Sequence, residues 1–155
     1  MSLMPSGGPN VEIRTRGPQR LEGSMPDVNW LAVVVAAVVV FVLSTVYYIV
    51  FTARLKELSP AYADAEGTPA PWKMIVEIAR SLVVGAVVAG LAGLTGVADL
   101  GGAVQLGLAL WLAFPVMLLI GSIVWEKVPP MLALIHMGDW LMKLLVISVI
   151  VTLWT

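Results

Sequence analysis

The chain contains no cysteine. That excludes disulfides, thiolate nucleophiles and cysteine-ligated metal sites, and leaves the redox compartment unspecified. Histidine is almost as scarce, with His136 alone. Charge is sparse as well: 12% of the residues are Asp, Glu, Lys or Arg, against roughly 25% in a soluble domain. The formal net charge of −1 gives no electrostatic basis for binding nucleic acid. Catalytic signatures are missing too. Ser44, Ser81, Ser122 and Ser148 sit in no G-x-S-x-G motif, and a single histidine would have to serve any of them as base. The glycines lie within hydrophobic segments rather than in a phosphate loop or dinucleotide fingerprint. One histidine with nearby carboxylates is a poor donor set for zinc. No cofactor or metal is implied, and the chain reads as non-enzymatic.

What the chain has is apolar sequence: 59% hydrophobic residues, gathered in runs long enough to cross a bilayer. The first run, residues 28–52, carries Trp30 at one end and Tyr47, Tyr48 and Phe51 at the other, the pattern of interfacial aromatic belts. It is too long for a signal peptide and ends in bulky tyrosines rather than small residues. Its valines would favour a strand in water, but in lipid the backbone must satisfy its own hydrogen bonds and a helix results. Residues 53–71 form a polar connection closed by proline and glycine. The second run, 72–97, is rich in small residues, among them Gly85, Ala86, Ala89, Gly90 and Gly93. Spaced by three and four, these allow close helix contact, within one subunit or between subunits.

The third run, 103–125, contains Pro115, which removes a backbone hydrogen bond and predicts a kink. The fourth, 130–154, opens with proline, which a first helical turn tolerates. Short turns between spans make sequence neighbours antiparallel. The fold expected is therefore an all-α membrane protein: an antiparallel four-transmembrane-helix bundle over residues 27–155, with the bilayer as its solvent. Residues 1–26 are polar and rich in Gly and Pro, and cannot bury enough surface to offset chain entropy, so a disordered tail is expected. Met25 opens "MPDVNWLAVV", which leaves two readings of residues 1–24: part of the protein, or sequence upstream of its natural start.

Four spans put both termini on one side. Arg54, Lys56, Lys73 and Lys127 cluster at helix ends on the other. Positive residues near spans favour the cytoplasm, so the reading is a multi-pass protein of the cell membrane with both termini outside.

The unusual residues are the ionisable ones inside the runs. His136, Asp139 and Lys143 recur at intervals of three and four on the last span, hence on one face, and Glu77 and Arg80 lie three apart on the second. At a rise of ~1.5 Å per residue, Arg80 and Asp139 both lie roughly 12–14 Å from the start of their spans. Glu77 and His136 are one turn shallower. Matched depth pairs Arg80 with Asp139 and Glu77 with His136, while Lys143 reaches Asp139 within its own helix. Such charges face protein or water rather than lipid. Three uses are open: an architectural network fixing helix register, a proton or small-solute pathway through His136, Asp139, Arg80 and Glu77, or recognition of a polar ligand or partner subunit. A homo-oligomer or a partner membrane protein fits the small-residue face.

The stretch "DVNWLAVVVAAVVVFVLSTVYY", Asp27 to Tyr48, resembles the opening of the DUF1761 family of small membrane proteins, with its N-W near the start and an aromatic pair ending the first span. "LWLAFPVMLLIGSIVWE", Leu110 to Glu126, and "HMGDWLMKLLVISVIVTLW" are similar to its third and fourth spans. The chain departs from the pattern at Tyr47, where tryptophan is expected, and at Ser44, where glycine is common. The resemblance implies a four-span membrane protein with no assigned activity and transfers no catalytic residue.

Overall fold

Asn29 starts the first helix by accepting a hydrogen bond from the Ala32 amide on its side-chain oxygen (3.1 Å), which satisfies one of the free donors of a helix N-terminus. In the computed structural model, which describes residues 28–64 and 70–154, this helix, α1, runs over Trp30–Leu58. The polar tail expected at residues 1–26 lies outside the described residues, as does the middle of the first loop. α1 continues past the apolar run to include Lys56 and Glu57, with Arg54 paired to Glu57 on its surface. The connection that follows holds a single helical turn, α2 (Pro60–Ala63), seeded by proline at its first position.

α3 (Pro71–Thr95) also begins with proline. Asp99 caps α4 (Leu100–Trp111) by accepting from the Gly102 amide at 2.9 Å. Pro115 is absorbed by a π-turn at Leu112–Val116. The wider turn accommodates the missing proline N–H, and the third span then continues as α5 (Met117–Trp125). α6 (Pro130–Leu153) closes the chain. Four helical segments, Trp30–Leu58, Pro71–Thr95, Leu100–Trp125 and Pro130–Leu153, are long and apolar enough to span a membrane. No strand occurs among the described residues.

The four spans are not equivalent. Of the most apolar stretch of α6, 44% is buried, against 28% for α1 and 17% for each of the other two. α6 is the shared neighbour: α1, α3 and α4 all pack on it, and α1 and α3 also pack on each other. Val33, Val40, Val88, Leu144, Ile147 and Val151 form the core where α1, α3 and α6 meet. The side-chain amide of Asn29 donates to the carbonyl of Trp154 (2.9 Å), tying the start of α1 to the end of α6. Both ends of the bundle therefore lie on one side. The outward faces carry valine, leucine and isoleucine, and Trp30, Trp72, Trp125 and Trp154 stand exposed near the helix ends. Tyr47, Tyr48 and Phe51, read from the sequence as belt residues, instead pack inward against Leu55, Leu132 and Ile135.

Small residues set the helix spacing, at places the sequence identified only in part. Gly85 is buried, and a Cβ there would sit 3.1 Å from the Val33 side chain, so this glycine is where α3 meets α1. Ala86 and Ala89 are half-buried against the same core. Gly90 has open space where a Cβ would be, and Gly93 is exposed.

Candidate functional site

α1 and α3 touch near Val33 and Gly85 and part toward the other side of the bundle, with α6 as the floor between them. The parting leaves an open cleft of about 930 Å³. Its walls are mixed. α1 supplies Phe41, Thr45 and Ile49, α3 supplies Lys73, Met74, Glu77 and Arg80, and α6 supplies His136, Asp139, Trp140 and Lys143.

The ionisable residues found by helical spacing do come together, but not in the pairs that matched depth implies. Lys143 is the hub: its ammonium lies 2.5 Å from Glu77 Oε1 and 2.9 Å from Asp139 Oδ2. Glu77 turns its other oxygen to Arg80 at 2.9 Å. Asp139 is therefore paired with Lys143 rather than Arg80, and Glu77 with Lys143 and Arg80 rather than His136. The reason is the lean of helical side chains toward the helix N-terminus. Lys143 starts a turn deeper than Asp139 and its long stem leans back to the carboxylates. Arg80 leans away from Asp139, toward Glu77 and the mouth of the cleft.

Asp139 and Lys143 are 2% and 6% exposed. Burying such a pair is tolerable only when each charge is fully partnered, and here it is. Asp139 Oδ1 accepts from Ser44 Oγ at 2.5 Å. The Tyr48 hydroxyl lies 3.4 Å from Asp139 Oδ2 and 2.8 Å from His136 Nδ1, linking the two. Two carboxylates balance two cations, so the cluster is formally neutral with the histidine uncharged. Trp140 lies beneath both cations, with Arg80 5.5 Å and Lys143 5.6 Å from its ring centre, within the range of cation–π attraction.

Ser44 and Tyr48 were missed as members of this network. A signal existed: a hydroxyl in an otherwise apolar run, followed four residues later by a tyrosine, places two polar groups on one face. Gly138 was missed as well. A Cβ there would collide with the Tyr47 hydroxyl, which lies over α6 to donate to the Ile135 carbonyl (3.0 Å). On the opposite side of α6, Trp111 Nε1 donates to the Met137 carbonyl at 2.8 Å.

At the mouth, Tyr62 of α2 stands near His136, with ring centres 6.3 Å apart. Burial pushes its phenol above the ordinary range and the Asp139 carboxylate adds to the effect, so the tip stays neutral. Lys56 and Lys73 also line the cleft, and no carboxylate among the described residues pairs with either. No group of three or more potential metal ligands occurs among the described residues.

The polar lining ends abruptly. Beyond Ser44 toward the chain termini come Val40, Ala36 and Val33, faced by Val88, Ile147 and Val151, all buried. Ser148 is fully buried but lies at the other interface of α6, close to Gly107 of α4. The cleft is thus open on one side and closed by hydrocarbon on the other.

A family model described as a protein of unknown function (DUF1761) matches residues 31–152, which takes in the four spans except for the terminal residues Trp30 and Leu153, and every cleft residue named above. No curated protein and no solved structure matches the chain.

Proposed function

From a chain that belongs to the DUF1761 family, whose description assigns no activity, we propose a non-enzymatic, multi-pass protein of the cell membrane. In this reading the buried ion network is architectural and holds open a recognition cleft. The observation that carries it is the position of Lys143 between Glu77 and Asp139. One ammonium joins the second span to the fourth by bridging both carboxylates, Arg80 supplies the second positive charge, and Ser44 ties the first span to Asp139. Buried charge used this way fixes register between helices. The cleft on that frame takes a polar ligand or a partner from one side of the membrane.

Arg54, Lys56, Lys73 and Lys127 all lie at helix ends on the cleft side, which supports a cytoplasmic cleft and termini outside. Self-association or binding of another membrane protein fits the outer face of α3 around Gly90, where a second backbone has room to approach.

One observation favours a carrier of protons or a small solute: Tyr48 connects His136 to Asp139, so a hydrogen-bonded chain leads from the cleft into the charged cluster. The chain stops at Ser44, and beyond it the meeting of α1, α3 and α6 is lined by the apolar Val40, Ala36, Val33, Val88, Ile147 and Val151. Recognition is therefore the stronger reading. Liposomes holding the purified protein under an imposed potassium diffusion potential separate the two. The expected proton leak equals that of protein-free liposomes. A leak that rises with protein content and disappears in Asp139→Asn would overturn the recognition reading in favour of the carrier.

A further inference from the structure

The charge on the cleft walls is not balanced. Four cations, Lys56, Lys73, Arg80 and Lys143, face two carboxylates, Glu77 and Asp139. Lys143 is consumed by those carboxylates. Arg80 is not: its side chain is 53% exposed, and a single guanidinium nitrogen engages Glu77 out of five N–H donors in its fork. The Trp140 ring lies 5.5 Å from the guanidinium, within the range of cation–π attraction. Lys73 lies two turns nearer the mouth on the same helix, and Lys56 faces it from α1. Guanidinium forks match the paired oxygens of phosphate groups, and ammonium groups add point charge.

The surroundings decide what kind of anion fits. The cleft lies within helices that span the membrane, and its walls include the exposed Thr45 and Ile49 of α1 and Met74 of α3. These open the gap between α1 and α3 sideways to lipid as well as endways to water. A volume of about 930 Å³ falls in the range of small-molecule sites, roughly 300–1,000 Å³. Basic pockets between spans on the cytoplasmic side suit anionic headgroups, whose chains need not leave the bilayer. We propose that the cleft binds the phosphate headgroup of an anionic phospholipid, with Arg80, Lys73 and Lys56 taking the headgroup and the α1–α3 gap passing an acyl chain. This rests on the recognition reading above and supplies its ligand class.

The test uses the full chain in a mild non-ionic detergent, with thermal unfolding as readout. Phosphatidylglycerol, phosphatidylcholine with the same chains, and inorganic phosphate are titrated separately. Phosphatidylglycerol raises the melting temperature in a saturable way, as expected for a ligand bound by the folded state alone, and the other two leave it unchanged. Lys73→Gln and Arg80→Gln each weaken the midpoint of that titration roughly fivefold. Arg54→Gln, on the outer surface of α1 and paired with Glu57, leaves it in place. Should Arg80→Gln fail to fold, Lys73→Gln carries the test, because Lys73 has no ion pair to lose among the described residues.

An equal shift with phosphatidylcholine overturns the headgroup assignment. An equal shift with inorganic phosphate overturns the lipid in favour of a soluble anion. A phosphatidylglycerol midpoint unmoved in Lys73→Gln overturns the site. No lipid shift together with proton-tight liposomes overturns the lipid ligand and leaves the recognition reading standing. Proton-leaky liposomes overturn that reading itself.

Discussion

Lys143→Met is expected to destabilise the protein by roughly 3–5 kcal/mol, and Asp139→Asn in the same chain to return much of the loss. Methionine keeps most of the apolar length of the lysine stem, so packing changes little and the effect isolates the charge. Without Lys143, Asp139 is a carboxylate at 2% exposure with Ser44 and Tyr48 as its hydrogen-bond partners and no cation. Glu77 fares better, because Arg80 still holds its other oxygen. Asp139→Asn alone costs less than Lys143→Met, since Lys143 keeps Glu77 at 2.5 Å. That asymmetry follows from one lysine serving two carboxylates, and a simple pair would not produce it. Thermal or denaturant unfolding of the four proteins in one detergent gives the coupling energy directly. Singly neutralised proteins as stable as the parent would mean that the charges are kept at no benefit to stability, which would favour a transport role.

The second large effect is at Gly107→Leu, expected to destabilise by about 3 kcal/mol, at the upper end of the overpacking range, or to detach the third span from the bundle. Gly107 is buried at the closest approach of α4 to α6. A Cβ there would lie 3.1 Å from the Leu144 carbonyl oxygen and 3.2 Å from Ser148 Oγ. Backbone cannot retreat as a side-chain tip can, so the helices must separate. The Trp111–Met137 hydrogen bond one turn along would be lost with the contact, and thermal unfolding in detergent would show the fall in melting temperature. Gly90→Leu is the control: its Cβ meets nothing, and the monomer keeps its stability.

Much of the fold could be read from composition, because in lipid an apolar run of sufficient length has one backbone solution. Pro130 at a first helical position marked the start of the fourth span, whereas Pro71, read as the end of the first loop, opens α3, and the third span begins at Leu100, capped by Asp99, rather than at 103. The packing was less legible. The glycine-rich second span drew attention, yet Gly90 and Gly93 face outward, while the third span makes its contact through buried Ala103 and Gly107. Those two residues are four apart and carry the same small-xxx-small signal. A pattern of this kind says that a close approach is possible and is silent on which face is used.

The site shows the same division. Helical spacing placed Glu77, Arg80, His136, Asp139 and Lys143 on facing stripes, and the structure brings all five to one cleft. The pairing was not legible, because depth counted along Cα positions ignores the lean of side chains, and a lysine stem spans more than a turn. The cleft itself had no local signal. It arises because α1 and α3 are pinned at Val33 and Gly85 and diverge from there, so that Thr45 and Glu77, distant in sequence, become opposite walls.

A chain without cysteine accepts single thiol probes without further change, and the measurement to make is their reaction with a membrane-impermeant maleimide from each side of the membrane. Thr52→Cys and Met74→Cys report the cleft, Val50→Cys reports the lipid face of α1 at similar depth, and Val40→Cys reports the closed end. A cleft held open to the cytoplasm and sealed beyond Ser44 predicts that Thr52→Cys and Met74→Cys react in inside-out vesicles, Val50→Cys lags well behind, and Val40→Cys reacts from neither side. Reaction of Val40→Cys from the side of the termini, or a Thr52→Cys no faster than Val50→Cys, would contradict it.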